Sequence, residues 1–292
     1  SGALLRAIES LEPGERWLLE PEIAPDNPRL LSPGIKWDVA PGSFTHLTEL
    51  FGPVLGVMRA DDFDHAIELV EATPYGLTSG LFSLDEREQQ RWSERVHAGN
   101  LYINRSTTGA VVRRQPFGGW KASSFGPGAK AGGPNYVLQL CRVEDREDAN
   151  SAADSDPAIA APQPDAAEFM SALRERIDPD SRERIARAAC HYAHALREHF
   201  QKNHDPSRLL GERNEFRYRP LASLLIRAAA DAPLGPVLLA TVAALSAGAG
   251  VTLSIDPACA GEEDWLARLP LCNPVIEPVD ERPDAEREVM AV

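Results

Sequence analysis

The chain has 292 residues, 43% of them hydrophobic and 25% charged, the balance of a folded globular protein rather than a disordered one. Its 44 acidic and 30 basic side chains leave a formal charge of −14, which disfavours attraction to nucleic-acid phosphates or anionic lipid, so no nucleic-acid partner is expected. The length admits two domains, and four scattered cysteines without a CxxC pair fit a reducing cytoplasm.

At the amino terminus no basic stretch leads into an apolar run, so no signal peptide is read. Leu4, Leu5 and Ile8 lie on one face of an amphipathic helix that the first residue cuts into. Residues 17–19 and 54–58 predict strands. Asp61 is placed to cap a helix with Phe63, Ala66, Ile67 and Val70 on its apolar face, which residues 73–76 end. Residues 77–83 predict a strand, 86–96 a polar surface helix and 101–104 another strand. This alternation implies a parallel sheet covered by helices.

Residues 144–164 are charged, rich in Ala and Ser, and carry Pro157, Pro162 and Pro164, which marks a linker. Beyond it, Ile185, Ala188, Ala189, Tyr192 and Leu196 line one face of a helix over 181–200, and 216–227 reads as extended, interrupted by Pro220. No charge falls between Asp231 and Asp256, a length that raises the question of a membrane span. Pro233, Gly235 and Pro236 open that stretch and Ala247-Gly248-Ala249-Gly250 break it. A short buried helix at 237–245 and a strand at 251–255 are therefore expected, in an α/β core. The residues from 278 onward read as an acidic, polar tail, and no internal repeat is evident.

Two motifs carry chemistry. In Thr48-Glu49-Leu50-Phe51-Gly52-Pro53-Val54, a carboxylate precedes an aromatic and a Gly-Pro turn. Such a carboxylate can accept hydrogen bonds from vicinal ribose hydroxyls while the aromatic edge packs on a flat ring. Taken alone, the motif reads equally well as a capped turn with a core phenylalanine. The second is Gly99-Asn100-Leu101-Tyr102-Ile103-Asn104-Arg105, followed by Gln115-Pro116-Phe117-Gly118-Gly119. Between its halves, backbone N–H groups at the Gly109-Ala110 turn can approach a carboxylate closely, since glycine places no side chain in the way. The glycine-rich run at 126–136 does not match a Walker phosphate loop. Residues 136–140 read as a strand available for oligomerisation, and Lys121 and Lys130 as surface or loop charges. Cys190, His191, His194 and His199 fall on the helix at 181–200 with His204 after it, but no fourth ligand is evident and no metal site is expected.

In their order and spacing the two motifs resemble the last part of the catalytic domain of the aldehyde dehydrogenase superfamily. The loop Ser106-Thr107-Thr108-Gly109-Ala110-Val111-Val112 is similar to the aldehyde-anchoring loop of L-glutamate γ-semialdehyde dehydrogenases. Lys130-Ala131-Gly132-Gly133-Pro134-Asn135-Tyr136 is similar to that enzyme within bifunctional bacterial proline utilization A proteins. The run at 209–220 and the neutral unit after it look like the C-terminal domain of the longer members.

The resemblance implies an α/β fold in three parts. Residues 1–143 would be the C-terminal portion of an aldehyde dehydrogenase catalytic domain with its oligomerisation strand, 144–164 a linker, and 165–292 a degenerate Rossmann-like accessory domain. It implies that Glu49 binds the nicotinamide ribose of NAD and that Phe51 lies near the nicotinamide. Gly109 and Ala110 would hold the α-carboxylate of the aldehyde substrate and Phe117 would pack on its aliphatic chain. The implied activity is NAD-dependent oxidation of L-glutamate γ-semialdehyde to L-glutamate in proline catabolism. The implied setting is a cytoplasmic homo-oligomer, with peripheral membrane contact left open for the parent protein and FAD confined to an upstream proline dehydrogenase part. The family's cysteine nucleophile and glutamate base precede the matched region, and none of Cys141, Cys190, Cys259 or Cys272 has the nucleophile's context. No catalytic residue is assigned, and the chain alone is expected not to turn over aldehyde. The alternative is a stand-alone, non-catalytic assembly or lid module.

Overall fold

The computed structural model describes residues 2–124, 129–142, 161–260 and 265–276. The chain divides into two compact units, residues 1–143 and 144–292.

In the first unit, α1 (Gly2–Glu9) is followed by β1 (Arg16–Leu19), β2 (Ile23–Ala24), β3 (Asn27–Leu31) and β4 (Gly34–Trp37). Next come α2 (Phe44–Leu47), β5 (Val54–Gly56) and α3 (Phe63–Glu71). The unit continues with β6 (Tyr75–Gly76), β7 (Thr78–Leu81), α4 (Glu86–Arg95), β8 (Asn100–Ile103) and β9 (Trp120–Lys121). β4 is the centre of a three-stranded sheet, antiparallel to β1 and parallel to β5. β7 and β8 pair in parallel with α4 as their crossover, while β2–β3 and β6–β9 are short antiparallel pairs.

Asp62, not Asp61, caps α3, its side chain accepting from the His65 N–H at 2.8 Å. The polar helix α4 still buries Trp92, and with Ile67 of α3 and Val96 it forms a small core onto which Leu81 and Ile103 pack. Lys36 on β4 is fully buried. Its ammonium donates to Ser10 O at 2.9 Å, Glu15 Oε2 at 3.1 Å and Thr45 Oγ1 at 3.2 Å. Burial works against the Glu15 charge, but hydrogen bonds from the Glu12 N–H, Lys36 and Thr45 outweigh it and hold the carboxyl below its ordinary range.

The strand expected at 136–140 is not one: residues Val137–Leu140 form a single 3₁₀ turn. A strand must satisfy its backbone on a neighbour, and none of the described strands pairs with this segment. Its backbone bonds are local instead, as in Cys141 N–H to Leu138 O at 3.1 Å, and Leu140 is 81% exposed.

The second unit opens with α5 (Pro164–Leu173) and α6 (Pro179–Ala195), each with proline in its first turn where no N–H is needed. A π-helical turn, Leu196–Phe200, extends α6. β10 (Ser223–Ala228), α7 (Leu234–Ser246), β11 (Gly250–Ile255), α8 (Pro257–Ala260) and β12 (Cys272–Ile276) follow. The extended segment expected from 216 becomes a strand only at Ser223, since Phe216 pairs instead with His204 through mutual backbone bonds of 2.8 Å. The three strands form one parallel sheet with β11 in the centre. α7 packs on α5, α6, β10 and β11, burying Leu238, Val242 and Leu245 against Leu253 and Ile255.

The neutral stretch between Asp231 and Asp256 thus divides into a helix and a strand. Gly248, at φ +78°, ends α7: its N–H donates to Leu245 O and the Ala249 N–H to Ala244 O, both at 3.1 Å. This pairing satisfies carbonyls the last turn leaves open, and only glycine adopts that φ without strain. Among the described residues no helix is long and apolar enough to cross a membrane. Residues 229–233, which join β10 to α7, contain no glycine, so the turn lacks the close backbone approach that a dinucleotide pyrophosphate requires. The expected tail and most of the expected linker lie outside the described residues.

Candidate functional site

Glu49 and Phe51 stand in the turn between α2 and β5. Ser43 caps α2 through its hydroxyl, which accepts from the His46 N–H, and Leu50 is buried. Any Cβ on Gly52 would collide with Leu4, and Pro53 O accepts from the Gly34 N–H at 2.8 Å, so the turn is locked against the sheet. With Leu50 turned inward, its neighbours turn outward: Glu49 is exposed and Phe51 is 84% exposed, at φ +49°. The Glu49 carboxylate has no hydrogen-bond partner among the described residues. An open carboxylate beside an open aromatic face fits a ribose and the flat ring attached to it.

The second motif leaves β8 at Asn104, at φ +55°, whose amide clamps Ser83 by accepting from its N–H at 3.0 Å and donating to its carbonyl at 2.8 Å. The Arg105 guanidinium lies over the Tyr102 ring, 5.2 Å from its centroid. The buried Gln115 side chain is the hub of the loop. Turned with its nitrogen toward Gly109, it donates to Gly109 O at 2.5 Å and accepts from Arg105 Nη1 at 2.5 Å. Gly109 sits at φ +90°, and the N–H groups of Gly109 and Ala110 have no acceptor among the described residues. Phe117, 41% exposed, is fixed by antiparallel bonds to Ala131 of 3.0 and 2.8 Å. Different sheets therefore carry the two motifs: the Glu49 turn leads into β5, and the Gly109 loop follows β8.

Lys121 is exposed and Lys130 lies in a loop, as expected, but both are tied into the surrounding backbone. The partly buried Lys130 ammonium donates to Gly99 O, to Gly118 O at 2.9 Å and to Asn100 Oδ1 at 3.3 Å, and burial pushes its pKa down to about 8. Asn100 in turn donates to Pro116 O at 3.0 Å. A Cβ on Gly99 would run into Gly118 O, so both halves of the motif cross in backbone contact with Lys130 binding them together. Lys121 donates to Glu71 O at 2.9 Å and pairs with its carboxylate at 3.2 Å, which also accepts from the His97 N–H at 2.7 Å. Burial disfavours the Glu71 charge, but the bonds from His97 and Lys121 prevail and lower its pKa.

The cysteines are scattered. Cys141 is exposed after the 3₁₀ turn and Cys190 is half-buried in α6. Burial pushes the Cys259 thiol up, aided by Asp256 and Asp231, and burial pushes Cys272 up as well. A nucleophilic thiolate needs the opposite shift. His199 and His204 stack in an aromatic cluster with Phe200 and Tyr218, and the His204 ring is bound to His199 O. Among the described residues no group of three or more His, Cys, Asp or Glu is placed to hold a metal ion.

Residues 8–145 match the aldehyde dehydrogenase family, a stretch that takes in nearly all of the first unit. A stretch of 108 residues is 44% identical to the 1-pyrroline-5-carboxylate dehydrogenases of a Geobacillus species and of Bacillus subtilis, covering 37% of this chain and 21% of each relative. The structure of proline utilization A from Corynebacterium freiburgense matches across both units, with a TM-score of 0.72 and 38% identity over 96% of this chain and 28% of that one. The chain thus spans about a fifth of the length of the curated relatives it matches.

Proposed function

We propose that this chain supplies the cofactor-ribose and aldehyde-anchoring parts of an NAD-dependent L-glutamate γ-semialdehyde dehydrogenase, which oxidises that aldehyde to L-glutamate in proline catabolism. The observation that carries the reading is the Gly109 loop, where exposed Gly109 and Ala110 have N–H groups with no acceptor among the described residues, in the same motif as the exposed Phe117. Backbone N–H groups receive a carboxylate and an aromatic face receives a short aliphatic chain, which together describe an aldehyde with an amino-acid head. NAD, when bound, is the hydride acceptor. On this chain Glu49 holds its nicotinamide ribose and Phe51 borders the ring. The nucleophile and the water-activating base belong to an upstream part of the same polypeptide, and the chain by itself is inactive. The parent is a cytoplasmic homo-oligomer that also carries an FAD-dependent proline dehydrogenase.

For the second unit, a non-catalytic accessory role is favoured by one contrast. The likeness to proline utilization A extends over 96% of the chain, whereas the 1-pyrroline-5-carboxylate dehydrogenases match over 108 residues. The test of the reading is steady-state kinetics of the complete polypeptide with Glu49→Ala. Losing charge-assisted bonds to the ribose is expected to raise KM for NAD by roughly tenfold or more. An unchanged KM for NAD would remove Glu49 from the cofactor site.

A further inference from the structure

We propose that Gln115 is a positioning residue: it aims the Ala110 N–H at the substrate carboxylate and thereby sets the preference for an amino-acid aldehyde over a plain aliphatic one. This rests on the reading of the Gly109 loop given above and names the side chain on which its selectivity depends.

The argument is one of peptide geometry. A trans peptide is planar, so the carbonyl of one residue and the N–H of the next point in opposite directions. The carbonyl of Gly109 is drawn inward by the Gln115 amide at 2.5 Å, which turns the Ala110 N–H outward to the exposed face of the loop. Gly109, at φ +90°, has the freedom to spin that peptide, so its orientation must be fixed from elsewhere. Gln115 is suited to fix it. It is 9% exposed, its own N–H is bonded to Val111 O at 2.7 Å, and its side-chain oxygen is held by Arg105. Arg105 is steadied in turn by the Tyr102 ring and by Thr108 O at 3.3 Å. The chain of contacts runs from β8 through Arg105 and Gln115 to the Gly109–Ala110 peptide. A donor preset in direction costs less to use on binding than one that must first be ordered.

Gln115→Leu keeps the bulk and removes both bonds. Gln115→Glu keeps the link to Arg105, which favours folding, and replaces the donor facing Gly109 O with an acceptor that repels it. In the complete polypeptide at saturating NAD, kcat and KM are measured for L-glutamate γ-semialdehyde and for pentanal, which has the same chain length and no head group. Both variants are expected to raise KM for the amino-acid aldehyde by roughly tenfold. Values for pentanal should stay within about twofold, a margin far below one hydrogen bond. Equal losses on both aldehydes would overturn the proposal in favour of a general structural role, as would no loss on either. A wild-type enzyme that itself shows no preference between them would instead overturn the reading of the loop, and this inference with it.

Discussion

Lys36 is a charged side chain with almost no water around it, and Glu15 is what makes that tolerable. Removing one partner of a buried pair leaves the other charge uncompensated, so Glu15→Ala is expected to cost about 3–5 kcal/mol in urea unfolding, and the double change Glu15→Leu with Lys36→Met to recover most of it. The pair also gives the first unit an acid limit. The folded carboxyl titrates below the ordinary value of 4.5, so as pH falls the unfolded chain takes up the proton first. Stability from this group is full above about that value and is lost as pH drops through the lower, folded one. Glu15→Gln should flatten this part of the stability profile; an unchanged slope would place the acid sensitivity elsewhere. Neither Glu15 nor Lys130 was legible in the sequence. Each charge meets its partners 21 or 31 residues away along the chain, and only the folding back of the chain makes them meet. Glu49, Phe51, Gly109 and Phe117 stood out because the surrounding motifs are local.

At the scale of elements, the sequence was readable where periodicity and punctuation agree. α3 and α6 show apolar spacing after a capping aspartate, and Gly248 marks the end of α7. A Cβ at Gly248 meets nothing within 4 Å, so a substitution there tests backbone strain alone. Gly248→Ala is expected to cost about 1–2 kcal/mol, measured by chemical denaturation of the second unit's transition through Trp265 fluorescence. A cost near zero would mean the helix ends without its left-handed residue. The paired two-residue strands β2, β6 and β9 left no signal, because so short a segment has no period to read. Residues 136–140 mislead for a related reason: their composition suits a strand, but a strand also needs a neighbour. The crossing of Gly99 over Gly118 shows what holds the Gly109 loop, Lys130 at the crossing and Gln115 within the loop. Lys130→Met should loosen both halves of the motif together, seen as faster hydrogen exchange of the Phe117 and Ala131 amides, whose mutual bonds hold the loop base. Unchanged exchange there would show that the ammonium is dispensable.

The whole molecule divides its roles between two units. The first matches the aldehyde dehydrogenase family and leaves Glu49, Phe51 and the Gly109 loop exposed. The second is a three-stranded parallel sheet with three packed helices, whose first βα turn has no glycine for a phosphate. In the second unit burial raises both the Cys259 and the Cys272 thiols, away from the thiolate. A charged, proline-bearing stretch of the sequence begins where the two units divide. The most direct measurement is NADH formation from L-glutamate γ-semialdehyde and NAD, followed at 340 nm on the order of an hour, by this 292-residue chain and, in parallel, by the complete polypeptide that contains it. Turnover by the complete polypeptide and none by the chain alone is the predicted result. Sustained NADH production by the chain alone would contradict it, because a nucleophile would then have to lie within these residues.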